Sequence, residues 1–227
     1  MRVSYSKWSL YHMCPYKYNC VYNLGLKEVK DDTGSAMARG SIIHDMLENN
    51  ILGNSTALPW DAGNTLKVPP MGIAHPMQET MYRLKSAPIV NAELSIELDI
   101  NMKPVPEGTD AAFIVIFDAI ARHDNRIEVF EWKSGKAWAE HAEQRHLYAA
   151  AALNIWNPEE VVVTTHYVDI TSPPIETRVT KADAENMRVI WVNRRETMIT
   201  DEILAPRPNS KCRFCHLSRD RGGPCVM

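Results

Sequence analysis

Two β-rich runs dominate the middle of the chain. Residues 112–121 read AFIVIFDAIA and residues 126–133 read RIEVFEWK, with the polar HDNR between them. Apolar runs joined this tightly fold as an antiparallel hairpin, with Asp124-Asn125 as the two turn residues. His123 then faces Arg126, and counting back in register sets Asp118 directly opposite Glu131. Residues two apart on a strand share a face, so Glu131 and Lys133 project together beside Ile127 and Val129. Directly opposed Cβ atoms lie about 4.5–5.5 Å apart.

Two carboxylates brought that close on a half-buried face repel each other and need something of opposite sign between them. A divalent cation meets the need. Hard oxygen ligands suit Mg²⁺ or Mn²⁺, with coordination positions left for water and a phosphate oxygen. Lys133, on the same face, is then placed to contact that phosphate and its attacking water. The alternative for an isolated Glu-x-Lys is a cross-strand salt bridge at a sheet edge, and a bulge would move the carboxylates apart. Glycosidase carboxylates also come in pairs, but they flank a sugar and need no strand lysine.

Around the hairpin the pattern alternates between helix and strand. Residues 6–24 read as two short helices broken at Cys14-Pro15, with Gly25 ending the second. In SAMARGSIIHDMLENNIL the apolar residues Ile42, Ile43, Met46, Leu47 and Ile51 recur at helical spacing, which puts His44 and Glu48 on another face. Residues 53–72 are rich in turn formers, as in a lid or a substrate-contacting loop. A helix within 77–84 precedes a strand with Leu94, Ile96, Leu98 and Ile100 on one side. After the hairpin come a helix (AEHAEQRHLYAAAALNIW), a strand (EEVVVTTHYVD), an antiparallel return (ETRVT) and a helix over 182–199. This order predicts a single mixed α/β domain spanning 1–227.

Length and composition narrow the class. The 227 residues, 45% hydrophobic, can bury a core, and the net charge of −3 gives no global field for nucleic acid. Local basicity is confined to the tail, where Arg207, Lys211, Arg213, Arg219 and Arg221 stand against Asp220 alone. No apolar run is long enough for a membrane span, and the N-terminus lacks the features of a secretory signal, so a cytoplasmic location is expected (a host's cytoplasm if the chain is viral). There is no phosphate-binding G-x-x-x-x-G-K-[ST] loop. The chain is therefore not expected to unwind duplex DNA alone.

With these residues in hand, the chain resembles the RecB-like branch of the PD-(D/E)XK nucleases, including the CRISPR-associated RecB-like exonucleases. GSIIHDMLE matches that family's G-x-x-H-x-x-L-E helix with Gly40, His44, Leu47 and Glu48, and EWKSGK is similar to its usual DYKTGK. Gln144 and Tyr148 match its Q-x-x-x-Y element, an i, i+4 pair on one helical face. The resemblance implies a restriction-endonuclease-like core, a central mixed β-sheet flanked by helices. It implies Mg²⁺ or Mn²⁺ held by His44, Asp118, Glu131 and the Trp132 carbonyl, with Lys133 acting on the phosphate and Gln144 and Tyr148 positioning the strand. Glu93 is one more acid at a strand start and is not counted among the ligands. The implied activity is DNA hydrolysis, foremost from single-stranded ends, in recombination, repair or processing. A non-cleaving DNA-binding adaptor of the same fold is the alternative, and a helicase, recombination or CRISPR adaptation partner is compatible. Trp8, Tyr16, Tyr18, Arg194 and Arg195 are candidate strand contacts.

Five cysteines is an odd number for a disulfide framework, and in a reducing compartment clustered cysteines are more often metal ligands than bridges. Cys212, Cys215 and Cys225 in the tail need a fourth ligand, for which Cys14 is the best candidate and Cys20 and His216 are rivals. Many RecB-like nucleases place one cysteine before the core and three after it around a 4Fe-4S cluster, which here would join residues 1–30 to 205–227. Their last gap is commonly five residues, whereas nine separate Cys215 from Cys225. Zn²⁺ on a Cys₄ or Cys₃His set, or free structural thiols, are the alternatives.

Overall fold

The computed structural model describes residues 1–26, 36–56, 58, 76–135, 137–168 and 173–225. The expected turn-rich segment 53–72 lies largely outside them. The central hairpin forms as counted: β2 (Phe113–Arg122) and β3 (Arg126–Lys133) pair in register from Arg122–Ile127 to Ala119–Phe130, and the His123 N–H donates to the Arg126 carbonyl over 2.9 Å. On the other side of β2, β1 (Ile89–Leu98) pairs antiparallel. It begins earlier than the apolar alternation implied and ends before Ile100, because the Asp99 carboxylate accepts the N–H groups of Asn101 and Lys103, each at 2.8 Å, and turns the chain.

From Lys133 the chain crosses through helix α5 (His141–Trp156) to β4 (Glu160–Tyr167), parallel to β3, and β5 (Ile175–Thr180) returns antiparallel at the edge. The sheet order is β1-β2-β3-β4-β5. Helices cover both faces. On one lie α1 (Tyr5–Met13), the short α2 (Pro15–Tyr18) with the turn that continues it, α5 and α6 (Ala184–Thr200), sharing a core with Phe113, Val115, Phe117, Ile127 and Val129. On the other lie α3 (Ala36–Ile51) and α4 (Pro76–Lys85), whose Ile43, Leu47, Met81 and Leu84 pack on Ala119, Ala121, Phe130 and Trp132. Four successive buried alanines, 149–152, leave α5 no bulky residue over that turn, so sheet and α6 both approach its backbone.

One irregularity interrupts the sheet. In β2, Phe113, Val115 and Phe117 face the α5 side, but so does Ile120, while Ala119 and Ala121 face α3 and α4. β1 slips at the same level, with Leu94 and Ile96 on the α5 side and Val90 on the other. The β1–β2 register is continuous on both sides of one missing pair, Glu93 and Asp118, and Glu93 has φ 46°, a left-handed conformation uncommon for a residue with a side chain. Such backbone costs about 1–3 kcal/mol and tends to occur at functional sites.

Candidate active site

The two slipped residues meet α3 there. His44 Nδ1 lies 3.5 Å from a carboxylate oxygen of Glu93 and 3.5 Å from one of Asp118, and His44 Nε2 lies 3.1 Å from the Trp132 carbonyl oxygen. One ligand atom each from His44, Glu93 and Asp118 falls within 4.8 Å of the others. Asp118 reaches this place by replacing a strand partner: the β2–β3 ladder stops at Ala119–Phe130, and the Trp132 N–H donates instead to the Asp118 carboxylate over 2.7 Å. The group borders an open cleft of about 510 Å³ whose lining includes Gly40, Glu48 and Lys133.

The electrostatics of this corner are unbalanced. Burial first, then repulsion from Glu131, pushes the Asp118 carboxyl well above the ordinary carboxylate range, although the Trp132 N–H and Lys133 oppose the shift. Burial also raises Glu93, against the attraction of His44. The site gathers more negative charge than the protein itself stabilises. An imidazole nitrogen and two carboxylates form a donor set that fits Mg²⁺ or Mn²⁺, and the Trp132 carbonyl at the other ring nitrogen orients the imidazole.

Glu131 is held from behind. Its Oε1 pairs with the Lys133 ammonium and accepts a 2.9 Å hydrogen bond from Gln144 Nε2, which also lies 2.9 Å from the Tyr148 hydroxyl oxygen. Tyr148 in turn donates to the Ile116 carbonyl. Glu131 Oε2 and Gln144 Oε1 are buried acceptors without a hydrogen-bond partner among the described residues, which a cation or its water would satisfy. Gln144 and Tyr148, expected to position a strand, are both buried, with Gln144 bonded to Glu131 and to Tyr148.

A profile of the PD-(D/E)XK nuclease superfamily matches residues 2–219. The chain belongs to this superfamily. Its fold is restriction-endonuclease-like, a mixed five-stranded sheet between helices. Among solved structures it is similar to SSO0001, with TM-score 0.51 and 16% identity over 94% of this chain and 82% of that one. It is also similar to a "Putative exonuclease" from Eubacterium rectale, with TM-score 0.51 and 10% identity over all of this chain and 89% of that one. No curated protein matched it.

In this PD-(D/E)XK chain Glu93 stands beside the expected ligands His44 and Asp118, and one oxygen of Glu131 faces Lys133 and Gln144. The left-handed turn at Glu93 redirects its side chain, and no residue pattern announces such a turn. Two further residues flank Lys133. Tyr167 is its partner across β3 and β4, and His141 Nδ1 lies 2.8 Å from the Tyr167 oxygen. Burial and the nearby Lys133 lower the His141 pKa.

The candidate strand contacts mostly serve the core. Trp8 and Tyr18 are buried because α1 packs against α6, and Arg194 lies over the rings of Trp8 and Trp191 while pairing with Glu143. Tyr16 donates to the Pro224 carbonyl over 3.3 Å, and Arg195 to that of Met1 over 3.3 Å. These contacts tie the two ends of the chain together.

Cys14, between α1 and α2 of this PD-(D/E)XK chain, and Cys212, Cys215 and Cys225 of its tail line one cavity of about 40 Å³. Cys14 Sγ accepts from the Lys17 N–H at 3.5 Å and Cys212 Sγ from the Asn209 N–H at 3.3 Å. Cys20 and His216 are not among the lining residues, and burial raises the Cys20 thiol pKa. The long gap before Cys225 is taken up by a turn at Arg219–Arg221, after which the Cys225 N–H returns to the Leu217 carbonyl over 2.8 Å. Gly223 makes this possible: a Cβ there would lie 2.3 Å from the Leu217 carbonyl group.

Proposed function

We propose that this chain is a divalent-metal-dependent deoxyribonuclease acting on single-stranded DNA ends in recombination, repair or processing. The observation that carries the reading is the convergence of His44, Glu93 and Asp118 within 4.8 Å of one another at the edge of a cleft lined by Lys133. An Mg²⁺ or Mn²⁺ ion bound there supplies a water of lowered pKa and polarises the phosphodiester. His44, Glu93 and Asp118 would hold the ion, with the Trp132 carbonyl orienting the His44 ring through Nε2 and the unpaired Glu131 oxygen nearby as a further acceptor. Lys133 stabilises the charge that gathers on the phosphate oxygens. Gln144 fixes Glu131, which keeps the Lys133 ammonium in place. The fold-level likeness to a protein named an exonuclease agrees with action at ends.

The four-cysteine cavity is read as the site of a 4Fe-4S cluster. What supports a shared centre is that Cys14 and the three tail cysteines line one cavity, so a metal group there would staple the N-terminal helices to the tail.

The test is degradation of end-labelled single-stranded DNA with Mg²⁺ or Mn²⁺, using linear, end-blocked and circular substrates. Loss of linear but not circular substrate is expected, and abolition by Lys133→Ala. Cleavage unchanged in Lys133→Ala would overturn the site assignment. Anaerobically purified protein should absorb near 400 nm; a colourless protein with stoichiometric zinc would overturn the cluster.

A further inference from the structure

The turn that carries two of the cysteines has an outer side. Cys212–Phe214 forms a single 3₁₀ turn, closed by the Phe214 N–H to the Lys211 carbonyl and the Cys215 N–H to the Cys212 carbonyl, both at 3.0 Å. Cys212 and Cys215 line the cavity, while the residues between them, Arg213 and Phe214, stand in solvent. Phe214 is 65% exposed, with the Arg213 guanidinium 4.6 Å from its ring centre. An exposed phenylalanine beside an arginine contributes nothing to a core. Its apolar face is free for a planar partner.

A second exposed aromatic stands on the segment to which the tail is tied. Trp138, 57% exposed, stands between the Lys133 strand and α5, and its carbonyl accepts the His141 N–H over 3.1 Å. The tail is docked against this segment: Lys211 Nζ lies 3.0 Å from Glu140 Oε1, and the Glu140 carbonyl accepts the Tyr5 hydroxyl over 2.8 Å. His141 in the same segment feels the charges of Lys133 and Glu131, so the segment continues from the active site. The segment carrying Trp138 thus joins the active site to the tail, in which the exposed Arg213, Arg219 and Arg221 outweigh Asp220.

We propose that Trp138 and Phe214, with Arg213, form a stacking platform for the bases of the substrate strand, which makes the cysteine-bearing tail part of the DNA-binding surface. The proposal rests on the nuclease reading and adds to it the path of the strand. Alternating ring faces and cations suit a single strand of any sequence, because every base has a π face and every linkage a phosphate. A duplex, its bases already stacked, gains nothing from the rings.

The experiment measures fluorescence anisotropy of a labelled 20-nucleotide single strand, and of the matching blunt duplex, binding the full chain with Ca²⁺ in place of Mg²⁺. Trp138→Ala and Phe214→Ala should each weaken single-strand binding about 5- to 50-fold, with Trp138→Tyr and Phe214→Tyr restoring most of it. Arg213→Ala should lower the salt dependence by about one phosphate contact. Thermal melting and the absorbance near 400 nm identify any variant whose tail has unfolded, in which case the tyrosine variants and Trp138→Ala carry the comparison. Unchanged single-strand affinity in the alanine variants overturns the platform and leaves the nuclease reading standing, as does an equal loss for duplex. Failure of the wild type to bind any DNA overturns the nuclease reading itself.

Discussion

The Trp132 backbone N–H donates to the Asp118 carboxylate over 2.7 Å at the level where β2 and β3 stop pairing. A side chain thus takes the place of a strand carbonyl, and the two strands open around it. Buried beside Glu131 and near Glu93, Asp118 is an acid held where its ionised form is disfavoured.

The first prediction follows from that position. A carboxyl whose folded pKa is raised contributes stability at low pH, and the contribution is lost as pH rises from the ordinary carboxylate range through the raised value. Metal-free protein should therefore melt at lower temperature as pH rises above about 4, where an unfolded aspartate ionises. Asp118→Asn should flatten that dependence and raise the neutral-pH Tm by about 2–4 °C for each kcal/mol of repulsion removed. The same variant should lose about 100-fold or more in cleavage. Melting curves across pH, with and without Mn²⁺, check both outcomes.

Tyr148 is buried, and its hydroxyl serves both Gln144 and the Ile116 carbonyl. Tyr148→Phe should cost about 1–3 kcal/mol by leaving these groups unpaired. It should also lower kcat more than it raises KM, because Glu131 loses its backing rather than DNA losing a contact. Chemical denaturation and steady-state kinetics separate the two effects.

Much of this site was legible because a two-residue turn fixes a count. Once Asp124 and Asn125 close the hairpin, the pairing of Asp118 with Glu131 is arithmetic, and the ladder follows it to Ala119–Phe130. Glu93 was not legible. Its place beside His44 and Asp118 depends on a left-handed backbone at a residue with no propensity for one, and only the packing of two slipped strands imposes it. Trp8 and Arg194 look like nucleic-acid contacts as residue types, but the seam between α1 and α6 consumes them. Cys14 could be chosen over Cys20 from the sequence, yet the role of the nine-residue gap emerges only from the Gly223 contact.

That contact yields a third prediction. Gly223→Ala should force the loop away from Leu217 and displace Cys225, because the colliding atoms are backbone and cannot rotate aside. The protein should melt several degrees lower and lose the absorbance near 400 nm that the proposed cluster would give, whereas Gly222→Asn, at a left-handed position with open space, should keep both. Absorption spectra of anaerobically purified variants check this.

The central claim is that His44, Glu93 and Asp118 hold a divalent cation, with Glu93 as a ligand that the sequence did not disclose. Calorimetric titration of Mn²⁺ into wild type and Glu93→Gln tests it most directly. The account predicts one catalytic Mn²⁺ site in the wild type, weakened about 10-fold or more in Glu93→Gln, with cleavage falling alongside. Unchanged Mn²⁺ affinity and unchanged cleavage in Glu93→Gln would contradict it.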